Sequence, residues 1–80
     1  MMSKTYTVNA FWDGEAKVWC AEGVDVPGLC TEASSIEALM EKLEVMVPEM
    51  LEANGLLPLG EEEVPFELVS RISAVAHLNG

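Results

Sequence analysis

Between Trp12 and Ala33 the chain reads WDGEAKVWCAEGVDVPGLCTEA, and this run leads directly into a capped amphipathic helix. Asp13-Gly14 is a strong turn signal, because glycine accepts a positive φ without steric cost. Before it, Tyr6, Val8, Ala10 and Trp12 alternate with Thr7, Asn9 and Phe11, the period of a half-buried strand. After it, Ala16 to Glu22 reads as the return strand. Glu22-Gly23 breaks that strand, and Asp25 to Gly28 makes a corner in which Pro27 presets φ and Gly28 takes the left-handed position of a type II turn. Leu29 to Glu32 is a short third strand.

The hairpin register decides which residues share a face. A three-residue loop, Asp13-Gly14-Glu15, puts Ala16, Val18 and Cys20 with Val8 and Ala10, and leaves Phe11 and Trp19 on the opposite face. A two-residue loop reverses the assignment, since side chains alternate strictly along a strand.

Ser34-Ser35-Ile36-Glu37 has the form of a capping box, with the Ser34 hydroxyl on an early amide and Glu37 reaching back. Ile36, Leu39, Met40, Leu43, Val47, Met50 and Leu51 follow at helical spacing, and Asn54-Gly55 supplies a stop. Pro48 removes one helical hydrogen bond and predicts a kink. Leu56 to Glu63 reads as a loop. Within Val64 to Ala76 lies a last strand, where Phe66, Leu68, Ser70 and Ile72 alternate with Glu67, Val69 and Arg71. His77 to Gly80 reads as a frayed end. The order β-β-β-α-β predicts an α+β fold, a small antiparallel-rich sheet covered on one face by one long helix.

Eighty residues leave no space for a second core, so residues 1–80 form one domain. Its net charge is −10, with Lys4, Lys17, Lys42 and Arg71 the only Lys or Arg residues. Such a field repels phosphate, which argues against direct contact with nucleic acid or an anionic membrane. It favours a basic partner, although solubility alone explains an acidic surface equally well. Five methionines suit a core or a pliable contact surface. The thin stability margin of so short a chain makes a homo-oligomer, a dimer first, a reasonable expectation. Cys20 and Cys30 lack metal-ligand spacing and read as small buried hydrophobes. A disulfide between them is open only if their strands are neighbours. The start resembles no signal peptide, which points to a reduced, cytoplasmic protein.

Catalytic chemistry finds little support. Asp13, Glu15, Glu22, Asp25 and Glu32 offer carboxylates for Mg²⁺, but Asp13 and Asp25 fall in turns, where carboxylates serve local hydrogen bonding. A nuclease also needs cationic substrate contacts. His77 has no second histidine or nucleophile beside it in sequence. The expectation is no catalytic residue, no metal and no cofactor. Glu61-Glu62-Glu63 reads as a solvated loop before it reads as a docking patch.

The segment from Tyr6 to Leu51 resembles the HicB-like antitoxin domain. The parts that carry the likeness are Thr5–Trp12, Asp13-Gly14, Ala16–Glu22, the Asp25-Val26-Pro27-Gly28-Leu29 corner, Thr31-Glu32-Ala33 and the helix from Ser35. It is most similar to a small bacterial subfamily of unassigned function, with a Trp-Asp turn, a Val-Trp strand and an Asp-Val-Pro-Gly-Leu corner. The resemblance implies a partial ribonuclease H-like sheet without catalytic residues. It further implies that the protein neutralises a small basic RNA-cleaving toxin by covering it, with frequent self-association. HicB-like antitoxins commonly add a C-terminal DNA-binding segment, and the chain ends soon after its last strand, so operator binding is not expected. The expected contact surface is Trp19, Glu22, Asp25 and Glu32. The alternatives are an orphan homo-oligomer without a toxin and a Mg-dependent nuclease.

Overall fold

The computed structural model describes residues 4–57 and 63–79. β1 (Tyr6–Asp13) and β2 (Val18–Gly23) form the hairpin, β3 (Cys30–Ala33) adds to β2, α1 (Ile36–Ala53) follows, and β4 (Phe66–Ser70) returns beside β1. The sheet order is β3-β2-β1-β4. β1–β2 and β2–β3 are antiparallel, while β4 lies parallel to β1. β3 therefore also runs parallel to β4, and α1 is the crossover between them, passing over β2 and β1. One crossover covers one face. The α+β architecture is the one the sequence predicts, and the parallel closing strand makes the sheet mixed.

The hairpin register differs from the three-residue loop. Asp13 pairs with Val18, Trp12 with Trp19 and Ala10 with Ala21. The loop is four residues long and has the parity of the two-residue alternative. Its cause is local. The Asp13 side chain accepts from the amides of Glu15 and Ala16 (3.0 and 3.1 Å), and the Asp13 carbonyl accepts from the Lys17 amide at 2.8 Å. The left-handed residue that closes the loop is Lys17, at φ 57°, rather than Gly14. The turn thus follows the Asp13 carboxylate, and the expected glycine signal is displaced by three residues.

Below the helix lie Tyr6, Val8, Ala10, Ala21, Val26, Leu29 and Ala33, all buried, facing Leu39, Leu43, Val47 and Leu51, each fully buried. Those last four side chains recur every four residues and form one stripe along α1. The helix cap is Ser35, one residue later than expected: its hydroxyl accepts from the Ala38 amide at 3.1 Å. Position N3 is therefore Ala38, and no capping box forms; Glu37 instead lies in the first turn, where the helix dipole favours a carboxylate. α1 runs through Pro48 as one element and stops where Asn54-Gly55 predicts. The Gly55 amide donates to Glu52 and the Leu56 amide to Leu51, the paired bonds of a Schellman motif, with Gly55 at φ 69°.

Candidate functional site

The corner after β2 is tied down from several directions. Leu29 donates to the Val26 carbonyl, and Gly28 takes φ 80°, as a type II turn requires. Val26 and Leu29 are buried, and the Asn54 side chain donates to the Pro27 carbonyl at 3.1 Å, joining the corner to the helix end. Asp25 fastens the other side. Its Oδ1 accepts from the Thr7 amide at 2.9 Å and its Oδ2 meets Lys4 Nζ at 3.3 Å. The Thr7 hydrogen bond, aided by Lys4, holds the Asp25 carboxyl below its ordinary pKa. Asp25 thus clamps the corner to the start of β1, and its charge is answered within the chain.

Trp19 is also placed differently from the expectation. It sits on the helix side, half-buried against the core and opposite Ala33. Its ring meets Trp12 edge-on, with centroids 5.6 Å apart and planes at 60°. The aromatic pair closes the hairpin end of the core.

Of the expected contact residues, Glu22 and Glu32 share a surface. They lie on the face of the sheet opposite α1, in the register that pairs Glu22 with Cys30 and Cys20 with Glu32. Across β1 and β4 the same face carries Asn9, Phe11, Asp13, Glu67 and Val69. Phe11 and Val69 are 45% and 46% exposed, and with Asn9, Ala10 and Arg71 they line an open concavity of about 330 Å³. The result is an apolar strip, Phe11–Val69, bordered by the carboxylates of Asp13, Glu22, Glu32 and Glu67. Glu67 accepts from the Thr7 hydroxyl at 3.5 Å.

Glu67, Val69 and Arg71 are additions to the expected site. Their signal in the sequence is the alternation of the last strand, but alternation alone does not say which face meets which neighbour. Parallel pairing of Asn9 with Val69 supplies that information.

The cysteines lie on this face as free thiols, Cys20 half-buried and Cys30 exposed, so Cys30 is not the buried hydrophobe expected. They are diagonal rather than opposite, and a diagonal offset of about 7–8 Å between Cα atoms exceeds disulfide reach. Desolvation pushes the Cys20 thiol up, and Asp13 and Glu32 push the same way, which keeps it protonated and a poor nucleophile. Among the described residues no three His, Cys, Asp or Glu side chains converge to hold a metal ion. Asp13 serves its own turn and Asp25 its corner. Glu61 and Glu62 lie outside the described residues, and Glu63 is exposed. No helix among the described residues is long and apolar enough to cross a membrane.

This arrangement spans nearly the whole chain, and residues 5–78 match one family, a domain of unknown function, DUF1902. The chain belongs to that family. The DUF1902 domain here is similar to the hypothetical protein TTHA1013 from the extremely thermophilic bacterium Thermus thermophilus, known from its crystal structure. The two share 51% identity at a TM-score of 0.78, over 91% of this chain and 100% of that one. A comparison of this DUF1902 chain with curated proteins finds no match.

Proposed function

We propose that the chain is a non-catalytic, HicB-like binding module of the antitoxin type, and that its open sheet face captures a small basic RNA-cleaving toxin. The observation that carries this reading is the uncovered Phe11–Val69 strip bordered by Asp13, Glu22, Glu32 and Glu67, in a chain of net charge −10. Exposed apolar area supplies desolvation energy, and the surrounding carboxylates steer a cationic partner and fix its orientation. Occlusion then needs no chemistry from this chain: the partner's RNA-facing cations are paired with carboxylates and closed to phosphate. Glu22 and Glu32 are the contact residues of this reading. Asp25 supports the surface from behind, and Trp19 supports the core beneath it. The separation of the acidic side chains, two of them engaged in turns, favours binding over a Mg-dependent nuclease.

The test is capture of partners from native lysate by the tagged protein at low and high salt, alongside the double variant Glu22→Lys, Glu32→Lys. The reading expects a small basic protein that is held in stoichiometric amount and released by salt. It also expects affinity to fall on the order of tenfold or more in the double variant, whose circular dichroism should match wild type. Recovery of the chain alone from cells shown to express the partner, or capture indifferent to charge reversal, would overturn it.

A further inference from the structure

We propose that residues 66–79 form an exchange strand, by which two copies of this chain pair edge to edge into one continuous sheet. The inference does not rest on the toxin-binding reading: it is argued from the free backbone edge of β4, although Glu67 and Val69 border both surfaces.

β4 is an edge strand, and its outer side has no strand partner among the described residues. Beyond Ser70 the chain continues through residues 71–79 without helix or strand pairing, every one of them exposed. Ile72, Val75 and Leu78 are 77%, 81% and 99% exposed. The molecule is also longer than a compact domain of its size. The radius of gyration is 15.5 Å and the long axis 61 Å, against about 12 Å for the radius of a compact 80-residue domain.

The sequence of this arm is that of a strand. Ile72, Ala74, Ala76 and Leu78 alternate with Arg71, Ser73, Val75, His77 and Asn79, and they continue the core-facing parity of Phe66 and Leu68. A half-buried strand pattern with no sheet beside it needs one from elsewhere. Charge indicates which. The arm contains Arg71 and His77 and no Asp or Glu, whereas the whole chain carries 14 acidic residues. It is the part of the molecule that a second acidic copy repels least.

Self-pairing also satisfies the register. An antiparallel pair centred on Ile72 places Phe66 opposite Leu78 and Leu68 opposite Ala76 on the helix side. On the other side it places Val69 opposite Val75 and Glu67 opposite His77. Apolar residues meet apolar residues at the first three of those positions, and at the fourth the one acidic side chain meets the one imidazole. About thirteen residues per copy lie in the shared ladder, against the roughly 20 residues a side of a standard interface. The other edge, β3, is a poorer candidate. It has four residues, and its Glu32 carbonyl is already taken by the Lys42 ammonium.

The experiment is the mass of the full chain in solution by light scattering across a dilution series and at rising salt. The expected mass is twice the chain's 8.7 kDa, and the dimer should tighten with salt, because screening removes repulsion between like-charged copies. The double variant Ala74→Pro, Ala76→Pro should halve that mass while keeping the helical circular dichroism signal, since proline cannot donate to the ladder and both sites are exposed in the single chain. In a Cys20→Ser, Cys30→Ser background, Ile72→Cys should cross-link to its own counterpart on oxidation. A monomeric wild type, a dimer indifferent to the prolines, or failure of Ile72→Cys to cross-link would each overturn the proposal.

Discussion

Along β1, neighbouring residues enter opposite environments. Val8 and Ala10 are sealed beneath α1, whereas Asn9 and Phe11, one position away, remain in solvent. The same strand thus supplies half of a core and half of an unoccupied surface. The difference arises from topology rather than from the residues' own character. Phe11 is more apolar than Ala10, yet it is the exposed one, because a single crossover helix leaves the second face without a layer. Apolar side chains held where folding does not need them are the ones whose loss the fold should tolerate.

That contrast can be broken most severely from the covered side. Leu43→Ala removes a fully buried side chain at the middle of the helix stripe, and should cost about 2–5 kcal/mol in denaturant titration. Asp25→Ala acts where the two faces meet, releasing the Thr7 amide and the corner together. It should cost about 1–2 kcal/mol. Its pH signature has a definite sign. The folded carboxyl is held below its ordinary pKa, so its stabilisation is present above roughly pH 4 and fades as pH falls through the lower folded value. Asp25→Asn keeps an oxygen for the Thr7 amide but should lose that acid-dependent component, and the melting curves of variant and wild type should converge as pH is lowered.

A smaller change tests the device that assigns residues to faces. Lys17→Gly relieves a left-handed lysine in the hairpin loop, and should stabilise the fold by up to about 1 kcal/mol without altering the register, read as unchanged near-ultraviolet signal from Trp12 and Trp19. Smallest of all is the effect of Phe11→Ser. On the open face it should move stability by no more than about 0.5 kcal/mol, while weakening capture of a basic partner. A loss as large as that of Leu43→Ala would show that the open face is part of the core after all.

Much of this is readable from the residues. The helix start near Ser34-Ser35, its stop at Asn54-Gly55 and the type II corner at Pro27-Gly28 are local signals with local causes. The misplacements also have causes. The Asp13 carboxylate organises a longer loop than Asp-Gly suggests, and that one difference moves Trp19 to the core side and Cys20 to the open side. Ser34 and Ser35 are adjacent hydroxyls in the sequence, and the structure uses the second, whose hydroxyl meets the Ala38 amide. The site is legible in part: Glu22 and Glu32 can be found from sequence, but their company across β1 and β4 cannot. Pairing of Asn9 with Val69 joins strands at opposite ends of the chain, and no local pattern encodes it.

The parallel seam between β1 and β4 also bears on how the molecule is made. Residues 4–57 hold the hairpin, the corner, β3 and the whole helix, so most of the core can assemble while synthesis continues. β1 must nonetheless wait for residue 66 before its second edge is closed. Such distant pairing forms late, because the connecting chain must be ordered before the contact rewards it. During that interval the nascent protein displays the Tyr6–Ala10 edge, an open template for any other unpaired strand nearby. The vulnerable moment in the life of this protein is therefore birth, and slowed translation between α1 and β4 should raise the fraction that aggregates without changing the stability of the finished fold.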